Sequence, residues 1–109
     1  MAEDLIALGP GKIDLLEAIR RKGSISKAAK EIKLSYRRAW DMVDTMNRCF
    51  KKPLVSSSTG GKGGGGALLT PLGERMIHLY RTMETAAEKS AQAEWKAIKP
   101  FLKRPSGSS

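Results

Sequence analysis

Apolar positions recur at helical spacing along most of this chain, and the breaks in that pattern divide it. A short apolar lead-in at residues 5–8 is interrupted by Gly9-Pro10-Gly11. Ile13, Leu16 and Ile19, supported by Leu15, then share one face, predicting a helix over 12–22 that Gly23 stops. Ser26 predicts the cap of a short second helix reaching about Ile32, with Ala28, Ala29 and Ile32 turned inward. After a tight turn at Lys33-Leu34, Ser35 predicts the cap of a third helix over 36–49. Its inner face is Ala39, Val43, Met46 and Phe50, and Pro53 forces the exit.

Beyond Pro53 the pattern shortens. Leu54-Val55-Ser56-Ser57 and Ala67-Leu68-Leu69 read as two strands joined by a glycine-rich hairpin tip. Thr70 with Pro71 at the first helical position predicts a helix over 71–99, stopped by Pro100. Along it Leu72, Met76, Leu79, Met83, Ala86, Ser90, Ala93 and Ala97 are spaced alternately four and three apart, a heptad seam. The order predicts a mainly α fold: a winged helix-turn-helix with a two-stranded wing and a long C-terminal helix. It partitions the chain into a lead-in (1–11), a reading module (12–70), a dimerisation helix (71–99) and a tail (100–109). A helix of roughly 40 Å overshoots one small domain, which predicts a homodimer joined along the seam. The alternative is an amphipathic helix folded back on its own domain.

Composition adds a partner. At 109 residues, with 40% apolar and 28% charged residues, the chain is an ordinary globular domain. No apolar run approaches the ~20 residues of a membrane span, and the acidic start is no secretory signal. The single cysteine, Cys49, excludes an internal disulfide and fits a reducing cytoplasm, so a cytoplasmic, nucleoid-associated protein is expected. Twenty Lys+Arg against 11 Asp+Glu give a net charge of +9. Residues 12–52 hold 12 basic and 5 acidic residues, the remainder 8 and 6. The excess therefore coincides with the helix-turn-helix, and a polyanion is the expected partner.

Double-stranded DNA fits that expectation. In a helix-turn-helix the second helix of the pair enters the major groove. Its outward stripe here is Tyr36, Arg37, Trp40, Asp41 and Asp44. Arg37 and Arg38 suit guanine edges or phosphate, and Ser35 suits a phosphate oxygen. Trp40 either meets thymine methyls and sugars or packs in the core, and Tyr36 either reads or packs on the wing. Asp41 either accepts from a cytosine amino group or holds a neighbouring arginine. Ser26, Lys27 and Lys30, with Arg21 and Lys22, read as backbone contacts or as solvated polar positions. At the hairpin tip, Gly60, Gly61, Gly63 and Gly64 would let backbone approach the sugar-phosphate wall while Lys62 supplies charge. The alternative is a linker without contact. Nucleotide-loop readings fail because Gly61-Lys62 is followed by glycine and then a strand. His78 is the sole histidine and has no local carboxylate partner suggestive of catalysis, and Cys49 reads as structural, so neither enzymatic activity, a metal nor a cofactor is expected.

The blocks Gly23-Ser24-Ile25-Ser26, Ser35-Tyr36-Arg37-x-Ala39-Trp40-Asp41, Asn47, Leu54-Val55 and Thr59 to Gly73 closely resemble the DNA-binding domain of ModE-type molybdate-responsive bacterial regulators. More distantly they are similar to the LysR-type reading head. The resemblance covers about residues 10 to 85. It implies a winged helix that binds a palindromic operator as a dimer, with Trp40 and Asp41 on the DNA-facing side. Members of that family carry C-terminal molybdate-binding domains. With this chain ending at Ser109, no ligand-sensing domain of its own and no molybdate binding are expected. The remaining functional alternative is a nonspecific DNA-binding architectural or adaptor protein.

Overall fold

The structure, a computed structural model, describes residues 8–58 and 66–103. Helix α1 spans Pro10–Lys22, α2 Ile25–Glu31 and α3 Tyr36–Cys49. Strands β1 (Val55–Ser58) and β2 (Gly66–Leu69) follow, then α4 (Pro71–Ser90), α5 (Gln92–Ile98) and a 3-10 turn, Lys99–Phe101. The chain divides into two compact units between His78 and Leu79.

In the first unit, α1 begins two residues before the predicted start. Pro10 opens the helix instead of breaking it, because the N–H it lacks has no partner in a first turn and its φ is already helical. Gly23 ends α1 in the left-handed conformation (φ 68), its N–H reaching the Ile19 carbonyl at 2.7 Å. The cap of α2 is Ser24, not Ser26. The Ser24 hydroxyl accepts from the Lys27 N–H (3.2 Å), and Ser26 lies exposed in the first turn. The glycine stop and the serine start share one corner, so the helix opens earlier than apolar spacing alone indicates.

The turn between α2 and α3 is a paired helix stop. Lys33 N–H bonds to Lys30 O (3.2 Å) and Leu34 N–H to Ala29 O (2.8 Å), with Lys33 left-handed at φ 62. That geometry sets the angle between the two helices. As expected, Ser35 caps α3, accepting from Arg38 N–H at 3.1 Å.

Ile13, Leu15, Leu16 and Ile19 of α1, with Met46 and Leu54, are the large fully buried side chains. At roughly 1.5–3 kcal/mol each, they make α1 the centre of the core. Ala28, Ala29, Ala39 and Val43 close it, while Ile32 and Phe50 are only half-buried. The strands pair antiparallel with Val55 opposite Leu69 and Ser57 opposite Ala67. Val55 and Ala67 point inward, and Leu68 on the outer face is 56% exposed. Backbone bonds help to anchor the hairpin: Ala67 N–H donates to Gly23 O (2.9 Å), and Thr70 N–H to Leu54 O (2.9 Å). Thr70 also caps α4, accepting from Gly73 N–H at 3.0 Å.

The predicted single helix over 71–99 is interrupted. Ala91, at φ −94 and ψ 0, separates α4 from α5, and Pro100 lies inside the 3-10 turn rather than ending the helix. Ser90 Oγ bonds back to Ala87 O (3.2 Å), the same carbonyl that accepts from Ala91 N–H (3.0 Å). Such competition for a carbonyl loosens a helix locally. In the second unit Arg81 pairs with Glu84 at 2.8 Å, and Trp95, Ile98 and Phe101 are exposed.

Candidate nucleic-acid interface

Helix α3 is sharply two-sided. Ala39, Val43 and Met46 are buried, whereas Tyr36 (56%) and Trp40 (46%) remain exposed although both are large and partly apolar. Arg37 has a side chain 89% exposed, with Nε 3.8 Å from Asp41 Oδ2. Of the expected stripe of Tyr36, Arg37, Trp40, Asp41 and Asp44, the first four lie exposed on the outward face of α3, whereas Asp44 is half-buried. Asp41 is placed to hold the Arg37 guanidinium, one of its two readings, but loosely. Arg48 pairs with Asp44 at 3.0 Å one turn further on.

Two concavities flank this stripe. On the wing side, Trp40, Asp44 and Asn47 face Ile25, Ser56 and Ser57 across a groove of about 170 Å³. Trp40 thus borders the wing and solvent together and is not a core residue. Asn47 ties the wing to α3. Its Nδ2 donates to Val55 O (3.0 Å), and its Oδ1 accepts from Leu54 N–H (2.8 Å) and Val55 N–H (3.2 Å). On the opposite flank an open concavity of about 490 Å³ gathers Lys12, Ser35, Arg37, Arg38 and Asp41. Lys12 had no role in the sequence reading beyond its charge. Its placement in one concavity with Arg38 comes from packing of α1 against α3, which no local pattern records.

The remaining basic positions separate into two kinds. Lys27 and Lys30 are exposed and share a shallow surface with Lys22. Arg21 is bonded to Glu31, and Lys22 lies 3.8 Å from the same carboxylate. That bond holds the Glu31 carboxyl below its ordinary value of 4.5 and raises the Arg21 guanidinium. The wing positions Gly60, Gly61, Lys62, Gly63 and Gly64 lie outside the described residues.

Of the heptad seam, Leu72 and Met76 are half-buried in the first unit, where Gly73 and Ile77 are the α4 residues that enter the core. In the second unit Leu79 (45%) and Met83 (47%) are exposed, as are Ala86, Ser90 and Ala93. Ala93 follows the interruption at Ala91. Cys49, read as structural, is exposed at the end of α3, and His78 is exposed on α4. Among the described residues no helix is long and apolar enough to cross a membrane, and no group of three His, Cys, Asp or Glu could hold a metal ion.

The sequence profile of the bacterial regulatory helix-turn-helix proteins of the lysR family matches residues 11–74, more than half of the chain. The chain belongs to this lysR family. It is 49% identical over 82 residues to the molybdenum-pterin-binding protein MopB of Rhodobacter capsulatus, covering 75% of this chain and 30% of that protein. Against the DNA-binding transcriptional dual regulator ModE of Escherichia coli K12 the identity is 46% over 81 residues, 74% of this chain and 31% of the relative. The chain thus spans about 30% of the length of the curated relatives it matches. The resemblance to ModE-type regulators read from the sequence agrees with both. Among solved structures, the CbnR DNA-binding domain in complex with DNA superposes with a TM-score of 0.64 at 17% identity, covering 84% of this chain and all of that one. At that identity the likeness establishes the fold of this lysR-family member, a winged helix-turn-helix.

Proposed function

We propose that this chain is a sequence-specific, DNA-binding transcription regulator that places α3 in the major groove and binds a palindromic operator as a homodimer. The observation that carries the reading is the outward face of α3. Tyr36, Arg37, Arg38, Trp40 and Asp41 are all exposed on the second helix of the pair, opposite a buried Ala39, Val43 and Met46. Leaving Trp40 and Tyr36 in water costs hydrophobic free energy unless a ligand covers them. Arg37 and Arg38 supply forked donors for guanine O6 and N7 or for phosphate. Ser26, Lys27 and Ser35 line the backbone on this reading, and Lys62 with Gly60, Gly61, Gly63 and Gly64 meets the adjacent phosphate wall.

Residues 12–70 form the reading module, and α4 with the shorter α5 after it forms the dimerisation segment. The exposed Leu79 and Met83 supply apolar area for a second copy, and the small residues Ala86, Ser90 and Ala93 permit close approach. Two-fold pairing would set the reading helices about one DNA turn apart. The chain acts by binding in the cytoplasm and not by catalysis, in keeping with its family. Because MopB carries molybdenum-pterin in its name, sequences upstream of molybdenum-related genes are the first operators to try. Molybdate binding is not assigned to the residues of this chain.

The test compares wild type and Arg37→Ala on a duplex selected by the wild-type chain and on a scrambled duplex. Loss of one base-reading arginine costs about 1–3 kcal/mol on the selected duplex and relaxes preference at that base pair. If wild type binds both duplexes equally, the protein is a nonspecific architectural binder and the reading falls.

A further inference from the structure

We propose that Trp40 makes this protein read thymine, its exposed indole packing on the C5-methyl group of one thymine in each half-site. The inference rests on the functional reading above and adds a base preference to it. Trp40 is 46% exposed on α3 and lines the groove of about 170 Å³ between that helix and the base of the wing. Arg37 precedes it by three residues, which makes the two side chains neighbours on one helix face. Three residues rise about 4.5 Å along a helix, and base pairs are stacked about 3.4 Å apart. The base pair that Trp40 meets therefore lies within two of the one that Arg37 reads.

The lining of the groove selects the part of a duplex that suits it. Among the described residues no Lys or Arg lines it, and its charged member is a carboxylate, Asp44, which pairs with Arg48 at 3.0 Å. A phosphate seated there would find no cation to neutralise it. A base amino group would need an acceptor, and the obvious one is taken. Asn47 Oδ1 already accepts from Leu54 N–H (2.8 Å) and Val55 N–H (3.2 Å). Val43 and Val55 join Trp40 in making the lining largely apolar, with the hydroxyls of Ser56 and Ser57 on the wing side. The apolar group that base pairs present in the major groove is the thymine methyl. Covering the indole with it removes apolar surface of both partners from water.

That methyl group can be deleted without touching the protein. Each thymine of the selected duplex is replaced in turn by deoxyuridine, in both half-sites together, and binding is followed by fluorescence anisotropy. At one position the wild-type chain loses about fourfold in affinity per half-site, the worth of one buried methyl group. That position lies within two base pairs of the one at which Arg37→Ala relaxes preference. Trp40→Ala binds the thymine and uracil duplexes alike there, and Trp40→Phe, the milder change, keeps a reduced preference for thymine. Melting temperatures confirm that the variants fold. If wild type binds every uracil-substituted duplex as tightly as the parent, the indole meets sugar or solvent and the proposal is overturned. A loss at that position undiminished in either variant also overturns it, since another residue would then hold the methyl. Both outcomes leave the functional reading standing. Equal binding of the selected and a scrambled duplex by wild type overturns both.

Discussion

Gly73 sits where α4 passes beneath the end of the loop before β1, and replacing it with alanine tests how closely those segments meet. A Cβ built at Gly73 lies 2.3 Å from the carbonyl oxygen of Leu54 and 3.2 Å from its carbonyl carbon. Contacts under 3.0 Å are essentially never adopted, so the two backbones must separate by about 0.7 Å or more. Neither yields easily. The same oxygen accepts from Thr70 N–H at 2.9 Å and from Thr70 Oγ1 at 3.2 Å, and the Leu54 side chain is fully buried. Overpacking of this kind costs about 1–3 kcal/mol, and weakening the Thr70–Leu54 bonds adds about 1 kcal/mol. The better helix propensity of alanine returns about 1 kcal/mol. A net destabilisation of about 2 kcal/mol remains, equivalent to a fall in melting temperature of roughly 8–16 °C for a domain of this size. Thermal unfolding followed by circular dichroism measures it. Gly11→Ala is the control. Nothing lies within 4 Å of its Cβ position and its φ is not left-handed, so alanine there stabilises by about 0.4–1 kcal/mol. A Gly73→Ala variant melting within about 2 °C of wild type would show that the contact relaxes at no cost, refuting the argument.

Three further outcomes follow from the same structure. Asn47→Ala removes three bonds and strands the N–H groups of Leu54 and Val55. It should cost about 2–4 kcal/mol in urea unfolding, and a loss below about 0.5 kcal/mol would mean water replaces the amide. Ser24→Ala should lose about 1 kcal/mol as a helix cap, whereas Ser26→Ala should stay within about 0.5 kcal/mol. The reverse order would restore Ser26 as the cap. Glu31 has a depressed carboxyl pKa because Arg21 bonds its charged form. Its contribution is therefore present above the ordinary carboxylate pKa and is lost as pH falls through the lower folded value. The melting-temperature gap between wild type and Glu31→Gln should close below about pH 4, and a gap independent of pH would remove the ion pair as its cause.

The parts of this fold that local chemistry controls were legible in the residues. Ser35 and Thr70 cap helices where predicted, because a hydroxyl three residues before an unsatisfied N–H does so in any fold. The two faces of α3 followed from the spacing of Ala39, Val43 and Met46. Apolar spacing points to Ser26 as the cap of α2, and only the left-handed stop at Gly23 moves the cap to Ser24.

By itself, then, the order of residues determined the helix-turn-helix, the hairpin after it, the outward stripe of α3 and the basic sign of the surface. Each depends on neighbours within about a turn of helix or on composition. Only the tertiary structure decided that Lys12 shares a concavity with Arg38, that Asn47 clamps the wing, and that Gly73 leaves room for the Leu54 carbonyl. Those pairs are brought together by burial of the α1 core, and a non-directional force of that kind leaves no periodic mark at the polar residues it places side by side.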